Sequence, residues 1–188
     1  MSKKDNIIKA ATHLFATQGF EGTTTKEISV EADVTEPLLY YHYSGKDEIY
    51  TSILASIYKE YFSRLKELPK KTDTHFKKIE NLCKFHFQLI KKMPDEMALI
   101  ISKEPGKLDD PGNVYSKNSQ SKNRRLKSYL SSCLKKGIQS GEFAKVSVNE
   151  TASILLIMID GILRLGPDWK NKLLDSTIEL LRRSLIAK

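Results

Sequence analysis

Residues 23–46 read TTTKEISVEADVTEPLLYYHYSGK, and the order of caps and apolar residues within them decides the fold. Thr24 with Glu27 has the form of a capping box. The hydroxyl accepts one orphan N–H at a helix start and the carboxylate reaches back to another. Thr23 is an equally good cap. Ile28 and Ala32 then share one face of a short helix that ends near Asp33 and Val34. Thr35 caps a second short helix, with Pro37 in its first turn, where a missing N–H costs nothing. Leu39 and Tyr43, four residues apart, face the same side, and Ser44-Gly45 break the helix. Two short helices joined by a tight turn form a helix-turn-helix, and the second can enter a major groove about 12 Å wide.

Outward from this stretch the pattern remains helical. Ile7, Ala10, Ala11, Leu14 and Phe15 mark an amphipathic helix over 3–18, stopped by Gly19. Lys46 opens a fourth helix to about Leu68, with Ile49, Tyr50, Ile53, Leu54, Ile57, Tyr61 and Leu65 as its apolar stripe. A linker at Pro69 follows. Further helices are expected over 74–93, 95–103, 113–139, 148–166 and 169–186, separated by Pro94, Pro105-Gly106, Pro111-Gly112, Gly141 and Gly166-Pro167. The polar stretch from Lys103 to Asn123 is expected to be partly mobile. No strand-length alternation and no repeat occurs. The expected fold is all-α with about nine helices: a three-helix head over 1–47 and an antiparallel bundle over 48–188.

Quoted together, Ile8 and Ala11 through Leu14-Phe15, Gly19-Phe20 with Thr23-Thr24 and Ile28, Ala32 with Val34-Thr35, and Leu39-Tyr40-Tyr41-His42-Tyr43 with Lys46-Asp47-Glu48-Ile49 resemble the head of the TetR family of transcriptional regulators. The resemblance covers about residues 7–50; the remainder matches in helical layout alone. It implies a sequence-specific regulator, a repressor more than an activator, that a small-molecule effector releases from a near-palindromic operator. It also implies DNA contacts by Thr24, Thr25, Thr35, Glu36, Pro37, Leu38, Tyr40, Tyr41, His42 and Lys46. Thr35 to Leu38 would face base edges, while the tyrosines, His42 and Lys46 would grip the backbone. Two positions depart from the family pattern. Asp33 stands where a turn glycine is usual and must take the left-handed conformation. Tyr43 replaces a phenylalanine, so its hydroxyl needs a partner.

Charge does not carry the DNA argument. The net charge is +8, but residues 1–50 hold five basic and eight acidic side chains, whereas residues 51–145 hold 20 and ten. With no Lys or Arg between Lys26 and Lys46, hydroxyls and backbone N–H groups must hold much of the phosphate backbone. Glu36 either accepts from cytosine N4 or merely suits a helix N-terminus.

The run from Thr151 to Leu163 is apolar on nearly every side and must be covered on nearly every side. With the last helix it forms the expected homodimer seam: Leu155, Ile159, Ile162, Trp169, Leu173, Leu174, Ile178 and Leu181. Two such helices from each subunit would make a four-helix bundle and set two reading helices about 34–36 Å apart. Candidates for the effector pocket are Cys83, His86, Phe87, Met93, Met97, Tyr115, Tyr129 and Met158. Methionine and aromatic residues at helical spacing are also ordinary core material.

Other classes find less support. No Glu-x-x-His pair, His-Glu-x-x-His, phosphate loop or nucleophile elbow occurs, so neither an enzyme nor a metal or other cofactor is expected. A helical interaction or membrane-surface module would explain the basic middle but not the head motif. Two cysteines without metal spacing, no apolar core after the first residues and no 20-residue apolar run fit a soluble cytoplasmic chain.

Overall fold

The computed structural model describes residues 2–68, 73–101, 114–164 and 167–187; for 114–116, 162–163 and 167–172 it describes the backbone alone. Among the described residues there are nine helices and no strand: α1 Lys3–Gly22, α2 Thr25–Glu31, α3 Glu36–His42, α4 Lys46–Lys66, α5 His75–Lys92, α6 Pro94–Ile101, α7 Val114–Gln139, α8 Val148–Arg164 and α9 Pro167–Leu185. The all-α expectation holds. No described helix is long and apolar enough to cross a membrane. The expected mobility around 103–113 lies outside the described residues.

The chain forms two compact units, Met1–Tyr61 with Met93–Ser119, and Phe62–Lys92 with Gln120–Lys188. In the first unit α1 packs on α2, α3 and α6. Its core is built on Phe15, Phe20 and Tyr50, whose ring centroids lie 5.0–5.5 Å apart. The stacked Phe15–Phe20 pair and the two edge-to-face pairs with Tyr50 add to the burial of large rings. Around them Ile7, Ala11, Leu14, Ile28, Leu39, Ile49 and Ile53 are buried. Each fully buried side chain of this size contributes about 1.5–3 kcal/mol. Gly19 does break α1, at φ 78°, but the chain resumes one more turn to Gly22. That extra turn swings Phe20 under the core.

In the second unit α5 packs on both α8 and α9. It buries Phe76, Ile79, Leu82, Cys83, Phe85 and Leu89. Leu126, Leu130 and Leu134 of α7, Leu155 and Ile159 of α8, and Ile178, Leu181 and Leu185 of α9 complete that core. Two local devices hold it. The Glu142 carboxylate, just beyond α7, accepts from the His75 and Phe76 backbone N–H groups at 2.9 and 2.8 Å and so caps α5. Phe143 folds back on Gly137 and donates its N–H to the Gly137 carbonyl. A short bridge between Phe143 and Ile186 then ties this turn to the end of α9.

Candidate DNA-reading face

The first unit positions the predicted DNA-reading residues by caps that the sequence spells out. Thr24, rather than Thr23, caps α2: its hydroxyl accepts from the Glu27 N–H at 3.2 Å and Glu27 accepts from the Thr24 N–H at 2.8 Å. The Thr24 hydroxyl also donates to the Glu27 carboxylate at 2.8 Å; this bond first, and the backbone one second, pull the Glu27 carboxyl below its ordinary pKa. Thr23 is buried and spends its hydroxyl on the Gly19 carbonyl. Thr35 caps α3, with Pro37 as its second residue. Between the helices, Asp33 takes φ 52°, as the missing glycine required. Lys3 stabilises that conformation by donating to the Asp33 carbonyl at 2.9 Å.

These caps set α3 with one edge in the core and one in solvent. Leu39 and Tyr43 are buried. The Tyr43 hydroxyl finds its partner in Ser52; burial nevertheless raises its pKa. On the opposite edge Tyr41 is 81% exposed and Tyr40 51% exposed. His42 stands edge-on to Tyr41 at 5.1 Å. Thr25, at the start of α2, and Tyr40 share a hydroxyl bond of 3.1 Å, which joins the two helices on this side. Thr35 and Pro37 are exposed, and Glu36 and Leu38 half-buried, at the leading end of α3. Thr24, Thr25, Thr35, Tyr40 and Tyr41 thus belong to one small unit that offers hydroxyls, two aromatic rings and a helix start.

Lys46 is placed differently from a freely extended cation. Its ammonium donates to the Phe20 carbonyl at 2.9 Å and the Thr23 carbonyl at 3.2 Å. It also lies 4.4 Å from the Phe20 ring centre. Two of its three N–H groups are therefore engaged within the chain, and its charge lies over a ring. Four of the eight acidic side chains of the head are exposed but engaged in local bonds. Asp5 caps α1 with Ser2, Glu27 caps α2, Glu48 accepts from the Ser44 N–H at 2.7 Å, and Asp33 pairs with Lys3. Helix N-termini favour such charges.

The other predicted sites are less coherent. Of the pocket candidates, Met93 and Met97 fall in the first unit, whereas Cys83, His86, Phe87, Tyr129 and Met158 fall in the second. Met97, Cys83, His86 and Phe87 are buried core. Burial pushes the Cys83 thiol up to about 12, with Glu80 adding to it, so it carries no thiolate at neutral pH. The side chain of Tyr115 lies outside the described residues. Of the seam candidates, Leu155, Ile159, Ile178 and Leu181 are buried within their own chain, and Leu173 and Leu174 are half-buried. The side chains of Ile162 and Trp169 lie outside the described residues. What α8 and α9 turn outward instead is Ile154, Ile157 and Leu180. The apolar run predicts that some face needs cover, and Ile154, Ile157 and Leu180 are large apolar side chains that the described chain leaves exposed. Among the described residues no group of His, Cys, Asp and Glu is arranged to hold a metal ion.

Residues 7–53 match the family model described as bacterial regulatory proteins, tetR family. The biofilm-operon negative regulator IcaR of Staphylococcus epidermidis is 36% identical over 87 residues, 46% of this chain and 45% of that protein. The chain therefore spans less than half the length of this relative. The repressor KstR2 of Mycobacterium tuberculosis is 20% identical over 142 residues, 76% of this chain and 70% of that one. The solved structure of the ketosteroid regulator KstR2 superposes with a TM-score of 0.84 at 17% identity, covering 100% of this chain and 96% of the other. AibR, solved with isovaleryl coenzyme A and operator DNA, superposes with a TM-score of 0.75 at 16% identity, over 95% and 97%. The head over residues 7–53 is thus similar to the DNA-binding part of tetR-family regulators, and the described helices follow the same fold as these solved regulators.

Proposed function

We propose that the chain is a sequence-specific DNA-binding transcriptional regulator, a repressor that leaves a near-palindromic operator when a small-molecule effector binds. The observation that carries this reading is the outward aromatic edge of α3. A short helix, capped at its start and seated in the core through Leu39, leaves Tyr40 and Tyr41 uncovered. Most of the Tyr41 ring is uncovered, and exposed rings of this kind suit sugar, phosphate and thymine-methyl contacts. Names of relatives support repression: IcaR is a negative regulator and KstR2 a repressor. The AibR structure holds both isovaleryl coenzyme A and operator DNA.

On this reading the protein is a cytoplasmic homodimer with no catalytic role. Residues 1–47 read DNA, with Thr24, Thr25, Thr35, Glu36, Pro37, Leu38, Tyr40, Tyr41 and His42 at the duplex, and residues 48–188 sense and dimerise. The outward faces of α8 and α9, through Ile154, Ile157 and Leu180, meet their two-fold copies. The effector acts by a population shift and must bind the released form more tightly than the DNA-bound one, since equal affinity shifts nothing. Gel-shift with duplexes from beside the coding region, followed by selection from a random pool, tests the reading. The expected product is a two-half-site sequence bound by the wild type and lost, by at least tenfold, in Tyr41→Ala. Failure to select any sequence over bulk DNA overturns it.

A further inference from the structure

Inside the second unit, ionisable side chains from three helices meet. Lys122 of α7 is buried, and its ammonium lies 3.5 Å from Oδ1 of Asp160 on α8. Asp160 keeps a third of its side-chain surface exposed. His86 of α5 is buried and feels both charges, with Nδ1 2.8 Å from the Leu82 carbonyl one turn back. Beside Lys122 in sequence, the Asn123 amide oxygen is buried with no hydrogen-bond donor among the described residues.

The contrast with Glu80 in the same unit is informative. That carboxylate is equally buried but has Lys77, Lys84 and Arg182 around it. Lys122 has three N–H groups and, among the described residues, one carboxylate. Its separation from that carboxylate exceeds the usual charge-assisted N–H···O distance of about 2.8 Å. An ammonium so far from water is poorly compensated by one long pair. A group rich in acceptor oxygens would satisfy it. Burial, with Lys122 contributing, holds the His86 imidazole down to about 4, so it is neutral at physiological pH and Lys122 is the cation of the group. The buried faces around it are apolar: Leu82 lies one turn from His86, Leu126 one turn from Lys122, and Ile159 beside Asp160.

We propose that Lys122 anchors the anionic oxygen headgroup, a carboxylate or a phosphate ester, of an otherwise apolar effector, with Asp160 as the resident counter-ion that the headgroup displaces. This rests on the effector reading given above. Displacement uncouples α8 from α7 three residues from the outward Ile157, so the headgroup acts on the helix that faces the second subunit.

The test uses the full chain, with thermal unfolding and release of the selected duplex as paired readouts. The probes are octanoate, octyl phosphate and octan-1-ol at equal concentrations. Octanoate or octyl phosphate is expected to raise the Tm of the DNA-free wild type by about 5 °C or more near saturation and to release DNA, while octan-1-ol does neither. The two anions tell carboxylate from phosphate. Lys122→Met with Asp160→Asn removes both charges. It is expected to keep DNA binding and lose both responses, and Lys122→Arg, which keeps the charge, retains them. If the double variant fails to fold, wild type and Lys122→Arg against the three probes still decide the matter. Equal response to octan-1-ol, no response to either anion, or full response in the double variant each overturns the proposal. Release by octan-1-ol alone sinks the headgroup while leaving the effector reading intact; absence of any selected duplex sinks the regulator reading itself.

Discussion

Lys46 and Gly137 each carry a consequence larger than their size. The resemblance gives Lys46 a phosphate, and its ammonium also donates to the Phe20 and Thr23 carbonyls and lies over the Phe20 ring. These contacts clamp the end of α1 to the start of α4 and thereby aim Thr24 and Thr25. A clamp and a phosphate contact differ in salt dependence. Losing one phosphate contact lowers the slope of log K against log [salt] by about 0.9. Lys46→Met is expected to weaken DNA binding and lower Tm while leaving that slope within error of the wild type; a slope reduced by a full contact would return Lys46 to the duplex. At Gly137 the constraint is steric. A Cβ there would overlap the Phe143 ring, which is buried and fixed by its own N–H bond to the Gly137 carbonyl. Gly137→Ala should therefore destabilise by about 1–3 kcal/mol, despite the better helix propensity of alanine. Chemical denaturation measures it.

At the level of elements, α5 depends on a cap donated from far along the chain. Burial alone would raise the Glu142 carboxyl, but bonds from the Phe76 and His75 N–H groups and the His75 ring reverse this and hold it below its ordinary value. A depressed carboxylate contributes stability that is fully present above its unfolded pKa near 4.5 and is lost as pH falls through the folded value. Glu142→Gln should thus lower Tm at pH 7, and the gap from wild type should narrow below pH 4.5; a gap constant from pH 7 to pH 3 would contradict the assignment. The outward faces of α8 and α9 make a separate prediction. Ile157→Asp sets two like charges into an apolar seam and should shift sedimentation from dimer to monomer, with DNA affinity falling alongside. How legible these elements were follows from the range of the interactions that make them. Capping boxes, the Asp33 turn and the α3 edge are written within four residues of one another, so the head could be read directly. The Glu142 cap joins residues 67 apart, and no local pattern announces it. An apolar run over Ile154–Ile159 does not state which side its own chain covers, so the buried Leu155 and Ile159 could not be told from the outward Ile154 and Ile157 in sequence. The Lys122 group was missed because three helices must be folded before its members meet.

For the molecule as a whole, charge is distributed against simple expectation. The head that is proposed to meet a polyanion is net acidic, yet Asp5, Glu27, Glu48 and Asp33 are committed to caps or to Lys3. Such carboxylates cost less near phosphate than free ones. With so few cations at the reading face, operator binding should release few counter-ions. The expected slope of log K against log [salt] is shallower than about −8, and a titration from low to high potassium chloride that falls more steeply would show that the basic second unit also touches DNA.

The hydroxyl-lined edge of α3 has a bearing on the cell that carries it. Attraction between full charges fades as ions crowd in, whereas directed bonds from threonine and tyrosine do not depend on screening length. A regulator that grips through Thr25, Tyr40 and Tyr41 would keep its operator when osmotic stress drives cytoplasmic potassium upward. On the proposed reading it would stay on its operator through a shock that sheds more cationic regulators.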